Sequence, residues 1–162
     1  MPSSPTPPPA ALEAQTLDAR AVARGVSRLL YRMGCATLCE FPLGNNRRAD
    51  VAGLSPKGKL CLVEIKVSLS DLRSDAKWPE YLDYCDEFYF AVPEGFPLDD
   101  LHTPAFAPER AGLIIADRFQ AAVIRPATPL PLNASRRKAE TLRFARHAAH
   151  RLFFQLDPGF EG

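Results

Sequence analysis

The run Leu60-Cys61-Leu62-Val63-Glu64-Ile65-Lys66-Val67 is apolar apart from two charged positions, and those two are separated by one residue. Alternate residues of a strand share one face, so Glu64 and Lys66 point the same way out of a segment that otherwise reads as buried. Charges held against a core are costly, and a chain that keeps them there has to fold so that they meet partners. A second short apolar run, Ala49-Asp50-Val51-Ala52, brings in another acid. Turn residues Gly44-Asn45-Asn46 and Ser55-Pro56-Lys57-Gly58 separate these runs from each other and from a third at 36–42. Strand-forming runs joined by such turns predict an antiparallel meander, with Asp50 and Glu64 on neighbouring strands.

The flanking segments complete the reading. Residues 18–33 predict a helix that Asp18 caps and Gly34 ends; Val22, Val26, Leu29, Leu30 and Met33 repeat at helical spacing toward a core, and Arg20, Arg24 and Arg28 share another face. Residues 70–85 predict two short helical pieces, capped by Ser70 and broken by Pro79. A fourth strand is expected at 87–92, where Phe88, Tyr89 and Phe90 are good strand formers. Residues 93–110 read as irregular, 112–116 and 120–125 as a hairpin about Asp117-Arg118, and 134–156 as a closing helix with Leu142, Ala145, Ala149, Leu152 and Leu156 as its apolar stripe. The order is αβββαβ, then an added β-hairpin and a C-terminal helix. Helices on a mixed sheet make this an α/β or α+β domain. Residues 1–14 are expected to be a disordered Pro-rich tail and residues 15–158 a single domain.

Net charge is only +1 over 162 residues, so bulk electrostatics do not announce a nucleic-acid binder. The distribution is more telling: the closing helix carries Arg136, Arg137, Lys138, Arg143, Arg146 and Arg151 against Glu140 alone. Of these, Arg136, Arg137, Lys138, Arg143 and Arg146 are expected to track a DNA backbone, with Arg24 and Arg28 extending the face; the plainer account is a solvated helix surface. No apolar run reaches the ~20 residues of a membrane helix, and no secretory leader is visible, so the expectation is a cytoplasmic protein. Cys35, Cys39, Cys61 and Cys85 lack the paired spacing of a zinc site and read as reduced, small hydrophobes.

Asp50 and Glu64 suit a hard divalent cation, Mg²⁺ or Mn²⁺, which prefers carboxylate, carbonyl and water oxygens; the carbonyl of Ile65 would be a third donor. Lys66 beside them would orient or deprotonate a water, or stabilise developing charge. The plainer account is a salt bridge between Lys66 and one of the acids at a sheet edge. Lys77, Trp78 and Tyr81 would meet a phosphate and stack on unpaired bases, although a tryptophan is more often a core anchor. Asp71 and Asp75 share a helix face and are expected to pair with Arg73 and Lys77 rather than serve the site.

Asp50…Glu64-Ile65-Lys66 resembles the core motif of the PD-(D/E)XK nuclease superfamily, whose fold is an αβββαβ core. A longer series resembles the MmcB-like DNA repair family: Arg47-Arg48-Ala49-Asp50, Val63-Glu64-Ile65-Lys66-Val67-Ser68, Asp71, Asp75, Lys77-Trp78, Tyr81, Tyr84-Cys85-Asp86 and Phe88-Tyr89-Phe90-Ala91-Val92-Pro93. The resemblance implies a DNA repair role and a metal-dependent nuclease, with DNA and other repair proteins as partners; oligomeric state stays open. The sequence also departs from the superfamily. Ala49 stands for its proline, Lys77 replaces the glutamine of the Q-x-x-x-Y pattern that Tyr81 otherwise fits, and the first helix lacks the glutamate of resolvase-like members, for which Glu40 is the available substitute. The alternative is therefore a non-catalytic DNA-binding or repair-scaffold module on a degenerate nuclease fold.

Overall fold

The computed structural model describes residues 8–161, so residues 1–7 of the expected tail lie outside the described residues. Six strands form one sheet in chain order, β1-β2-β3-β4-β5-β6. The strands are β1 Ala36–Pro42, β2 Arg48–Leu54, β3 Leu60–Ile65, β4 Glu87–Pro93, β5 Gly112–Ala116 and β6 Ala121–Arg125. β1, β2 and β3 are antiparallel, as the turn chemistry predicts. β4 lies parallel to β3, and β5 parallel to β4. β5 and β6 pair antiparallel, so the hairpin expected as an addition continues the same mixed sheet.

Helix α1 spans Pro9–Arg32 and starts well before Asp18. Pro9 occupies its first turn, where a missing N–H costs nothing and the fixed φ suits a helix. Residues 9–14, expected to be tail, are therefore helical. Val22, Val26 and Leu30 are buried against the sheet; Met33 is exposed, because the helix has ended and Gly34 turns away with φ 88°. Helix α2, Leu69–Ser74, is capped two residues earlier than expected: the Ser68 hydroxyl, not that of Ser70, accepts the Asp71 N–H at 3.1 Å. Pro79 does not break a helix but sits in the first turn of a 3-10 segment, Trp78–Tyr84. The stretch expected to be irregular contains two short 3-10 turns, Asp99–His102 and Pro104–Phe106.

The sheet has a core on each face. α1 covers Val51, Val63, Tyr89 and Ile114. Leu72, Trp78, Tyr81 and Phe106 cover Leu62, Phe88, Phe90 and Leu113 on the other. Helix α3, Ala134–Leu156, begins at Asn133, whose side chain accepts the Arg136 N–H at 2.8 Å. Its expected apolar stripe faces solvent: Leu142, Leu152 and Leu156 are all more than half exposed. α3 docks instead through Arg137, Glu140, Phe144 and Arg151. Phe144 meets the Phe41 ring edge-on at 5.5 Å. Arg137 binds the buried Asp86 carboxylate and the Gly58 carbonyl. A docking stripe that is mostly polar leaves no hydrophobic period to read. Among the described residues, no helix is long and apolar enough to cross a membrane.

Candidate functional site

The β2–β3 register, Ala52 on Leu62 and Val51 on Val63, brings Asp50 alongside Glu64 at the next step. The Asp50 carboxylate accepts the Ile65 N–H at 2.7 Å, which fixes it against β3. Glu64 Oε1 lies 3.8 Å from Lys66 Nζ, while Glu64 Oε2 is buried with no hydrogen-bond partner. Lys66 is only 4% exposed. Its N–H extends the parallel ladder to the Ala91 carbonyl at 2.9 Å, and its ammonium binds Asp75 at 2.7 Å with Asp71 at 3.8 Å. An ion pair of the kind the sequence allows is thus present, but its main partner comes from the end of α2, not from Asp50 or Glu64. Asp71 and Asp75 accordingly serve the site; Arg73 turns away to Asp100 at 2.6 Å.

The acids are strained electrostatically. Burial, then the Asp50 charge, pushes Glu64 from 4.5 up to about 9. Burial also raises Asp50, against the opposing pull of the Ile65 amide and Lys66. For Lys66, burial favours the neutral amine, but the hydrogen bond to Asp75 and the charges of Asp71 and Glu64 outweigh it and hold the group above its usual range. That direction suits Lys66 to the charge-stabilising role among those the sequence allows.

These groups lie in an open cleft of about 1050 Å³, whose wall includes Arg20 and Arg24 of α1, Ser27, Cys39, Glu40 and Arg151 of α3. Glu40 has φ 51°, in the left-handed region that only the surrounding structure sustains in a non-glycine residue. Arg151 donates to the carbonyls of Cys39 and Glu40, the latter at 2.8 Å, and so pins this bend of β1. The Glu40 side chain is exposed at the rim, 3.7 Å from Arg48.

The residues expected on DNA divide sharply. Trp78 stacks on Phe88 at 5.6 Å and packs edge-on against Phe90 at 5.1 Å inside the core. Tyr81 is also buried, its hydroxyl donating to the Arg48 carbonyl at 2.9 Å. Neither ring is available to a base. Lys77 is exposed beside them. Arg137 is committed to Asp86, Arg136 lies over the Tyr84 ring at 4.0 Å, and Arg143 sits 3.5 Å from the buried Glu140. Lys138 is exposed on the outer side of α3. Arg28 donates to the Phe119 carbonyl at 3.3 Å. Only Arg24 of that set lines the cleft. Arg20 and Arg151, which the sequence did not single out for the site, line it as well; the i, i+4 spacing of Arg20 and Arg24 was the available signal.

The sequence matches the family described as DNA repair protein MmcB-like over residues 6–159. The chain belongs to the MmcB-like DNA repair family. A solved structure, a protein of unknown function from Silicibacter pomeroyi, is 39% identical and superposes with a TM-score of 0.80, covering 90% of this chain and 95% of that one. No curated protein matches the chain. The MmcB-like match spans the acids of β2 and β3 and both arginine-bearing helices of the cleft.

Proposed function

We propose that the protein is a divalent-metal-dependent nuclease of the PD-(D/E)XK superfamily that hydrolyses DNA phosphodiester bonds in repair. The observation carrying this reading is the Glu64 carboxylate, buried, half without a partner, and set beside a second carboxylate. Two such acids stay together only when a proton or a cation offsets one of them. The nearest cation of the chain, Lys66, is turned mainly to Asp75.

Asp50 and Glu64 fit a hard cation, Mg²⁺ or Mn²⁺, with the Ile65 carbonyl as the adjacent backbone donor and Glu40 at the rim as an outer candidate. Among the described residues no group of three or more His, Cys, Asp and Glu side chains is arranged for a metal; a pair of carboxylates plus a carbonyl has only two such side chains and leaves positions for water and a substrate phosphate oxygen. When bound, the ion would lower the pKa of a water and offset phosphate charge. The chain does the rest. The Ile65 amide orients Asp50, Asp75 positions Lys66, and the protonated Lys66 offers positive charge where negative charge develops.

The test is cleavage of circular and linear DNA with Mn²⁺ or Mg²⁺. Asp50→Asn and Glu64→Gln should each lower the rate by at least about 10²-fold, as should Lys66→Ala. Mn²⁺ should raise the melting temperature of the wild type and leave that of Asp50→Asn unmoved. Undiminished cleavage by both acid variants would sink the reading. The tight Lys66–Asp75 pair favours one rival, a DNA-binding or scaffold module without catalysis, whose mark is DNA binding indifferent to Mn²⁺ and to Asp50→Asn.

A further inference from the structure

The distribution of charge inside the cleft carries more than the acid pair does. Asp50 and Glu64 are largely shielded, whereas Arg20 and Arg24 are exposed, so the acids lie deep and the arginines stand nearer the mouth. Arg20 and Arg24 are one turn apart on α1 and share its cleft face. Among the described residues neither forms an ion pair with a carboxylate of the chain. Arg24 has only a distant aromatic neighbour, Phe119, at 6.0 Å. From α3, Arg151 adds positive charge in a fixed position, since two of its nitrogens are bound to β1 carbonyls. Guanidinium groups from two helices around a negative floor suit a polyanion running along the cleft with one phosphate dipping toward the acids.

Depth decides which polyanion. Asp50 and Glu64 are largely shielded at the floor of the cleft. A B-form duplex carries its phosphates on a stiff outer surface and does not bring one down to that floor, whereas a flexible single strand does. On α3, the other basic surface, Arg137 and Arg143 are offset by Asp86 and Glu140, which lowers the positive charge left for a phosphate there.

We infer that the cleft is a single-strand DNA site, in which Arg20 and Arg24 of α1 and Arg151 of α3 hold backbone phosphates and admit unpaired DNA ends, flaps or gaps to Asp50 and Glu64. As a statement of substrate it rests on the nuclease reading. As a statement of binding it is tested apart from cleavage.

The test is fluorescence anisotropy with a labelled single-stranded oligonucleotide and the matching blunt duplex, in EDTA so that nothing is cut. The single strand should bind about tenfold or more tighter than the duplex. Arg20→Ala with Arg24→Ala should weaken single-strand binding about tenfold and flatten the log affinity against log salt slope by about 1.4, two contacts at 0.7 each. Arg20→Lys with Arg24→Lys should keep most of that slope, which guards against a folding defect. Lys138→Ala with Arg146→Ala, on the outer side of α3, should change nothing. Equal affinity for duplex and single strand, or loss of binding only in the α3 pair, overturns the inference. Strand binding without cleavage sinks the nuclease reading and leaves this one standing; cleavage with no arginine dependence does the reverse.

Discussion

Glu64 holds its proton to about 9, where an unburied glutamate releases it near 4.5. Between those values the folded chain binds more protons than the unfolded one, so stability falls as pH rises through the window and is lowest above it. The metal-free protein should therefore resist denaturant better at pH 5 than at pH 9. Glu64→Gln, which keeps the shape and removes the charge, should flatten that dependence and gain about 1–3 kcal/mol at pH 8. Urea midpoints for both proteins at several pH values decide it; an unchanged slope in the variant would place the buried charge elsewhere. How far the sequence exposes this residue is instructive. Period-two alternation in an apolar run needs no tertiary information and put Glu64 and Lys66 on one face, and the short turns of the meander put Asp50 on the neighbouring strand. Which acid claims Lys66 depends on where α2 ends, and Asp75 arrives there through the Ser68 cap, a detail that competing serines at 68 and 70 hide. Trp78 and Tyr81 were ambiguous for a related reason: an aromatic ring reads alike on a sheet core and on a base until its neighbours are known.

At the level of the element, α3 shows what hydrophobic periodicity misses. Leu142, Ala145, Ala149, Leu152 and Leu156 make a clean stripe, yet the helix lies along the sheet edge on a different one, where Phe144 is the only large buried apolar side chain. Arg137 reaches Asp86, which also accepts the N–H groups of Leu60 and Leu132 at 2.8 and 3.0 Å, so one buried carboxylate ties β3, β4 and the approach to α3 together. The energetics separate the two stripes. Phe144→Ala removes a ring packed on Phe41 and should cost about 3–5 kcal/mol. Leu152→Gln, on the exposed stripe, should stay within about 0.5 kcal/mol. Denaturant unfolding of the two single variants is the measurement, and the reverse ranking would mean that α3 packs by the face the sequence first suggests.

For the whole molecule, strand identity and the antiparallel β1–β3 meander were legible because short turns fix both. The parallel pairing of β4 with β5 was not, since residues 94–111 are long enough to return the chain in either direction. That pairing places the β5–β6 hairpin under α1, and the contact explains how a helix so far from the acids in sequence becomes a wall of their cleft. At Gly25 an added Cβ would stand 2.0 Å from the Asp117 carbonyl oxygen and 2.8 Å from that of Gln120, both backbone atoms that cannot swing aside. α1 therefore sits as close to the hairpin turn as a helix can, and Arg20 and Arg24 ride on its position. Gly25→Ala should push α1 outward, cost about 1–3 kcal/mol, and weaken single-strand binding although no charge has changed. Gly58→Ala makes the control: its φ of 79° strains any side chain, but nothing lies within 4 Å and the position is away from the cleft. It should lose about 1 kcal/mol with strand affinity intact. If Gly25→Ala binds and unfolds like the wild type, α1 is not seated on the hairpin and the cleft wall has another origin.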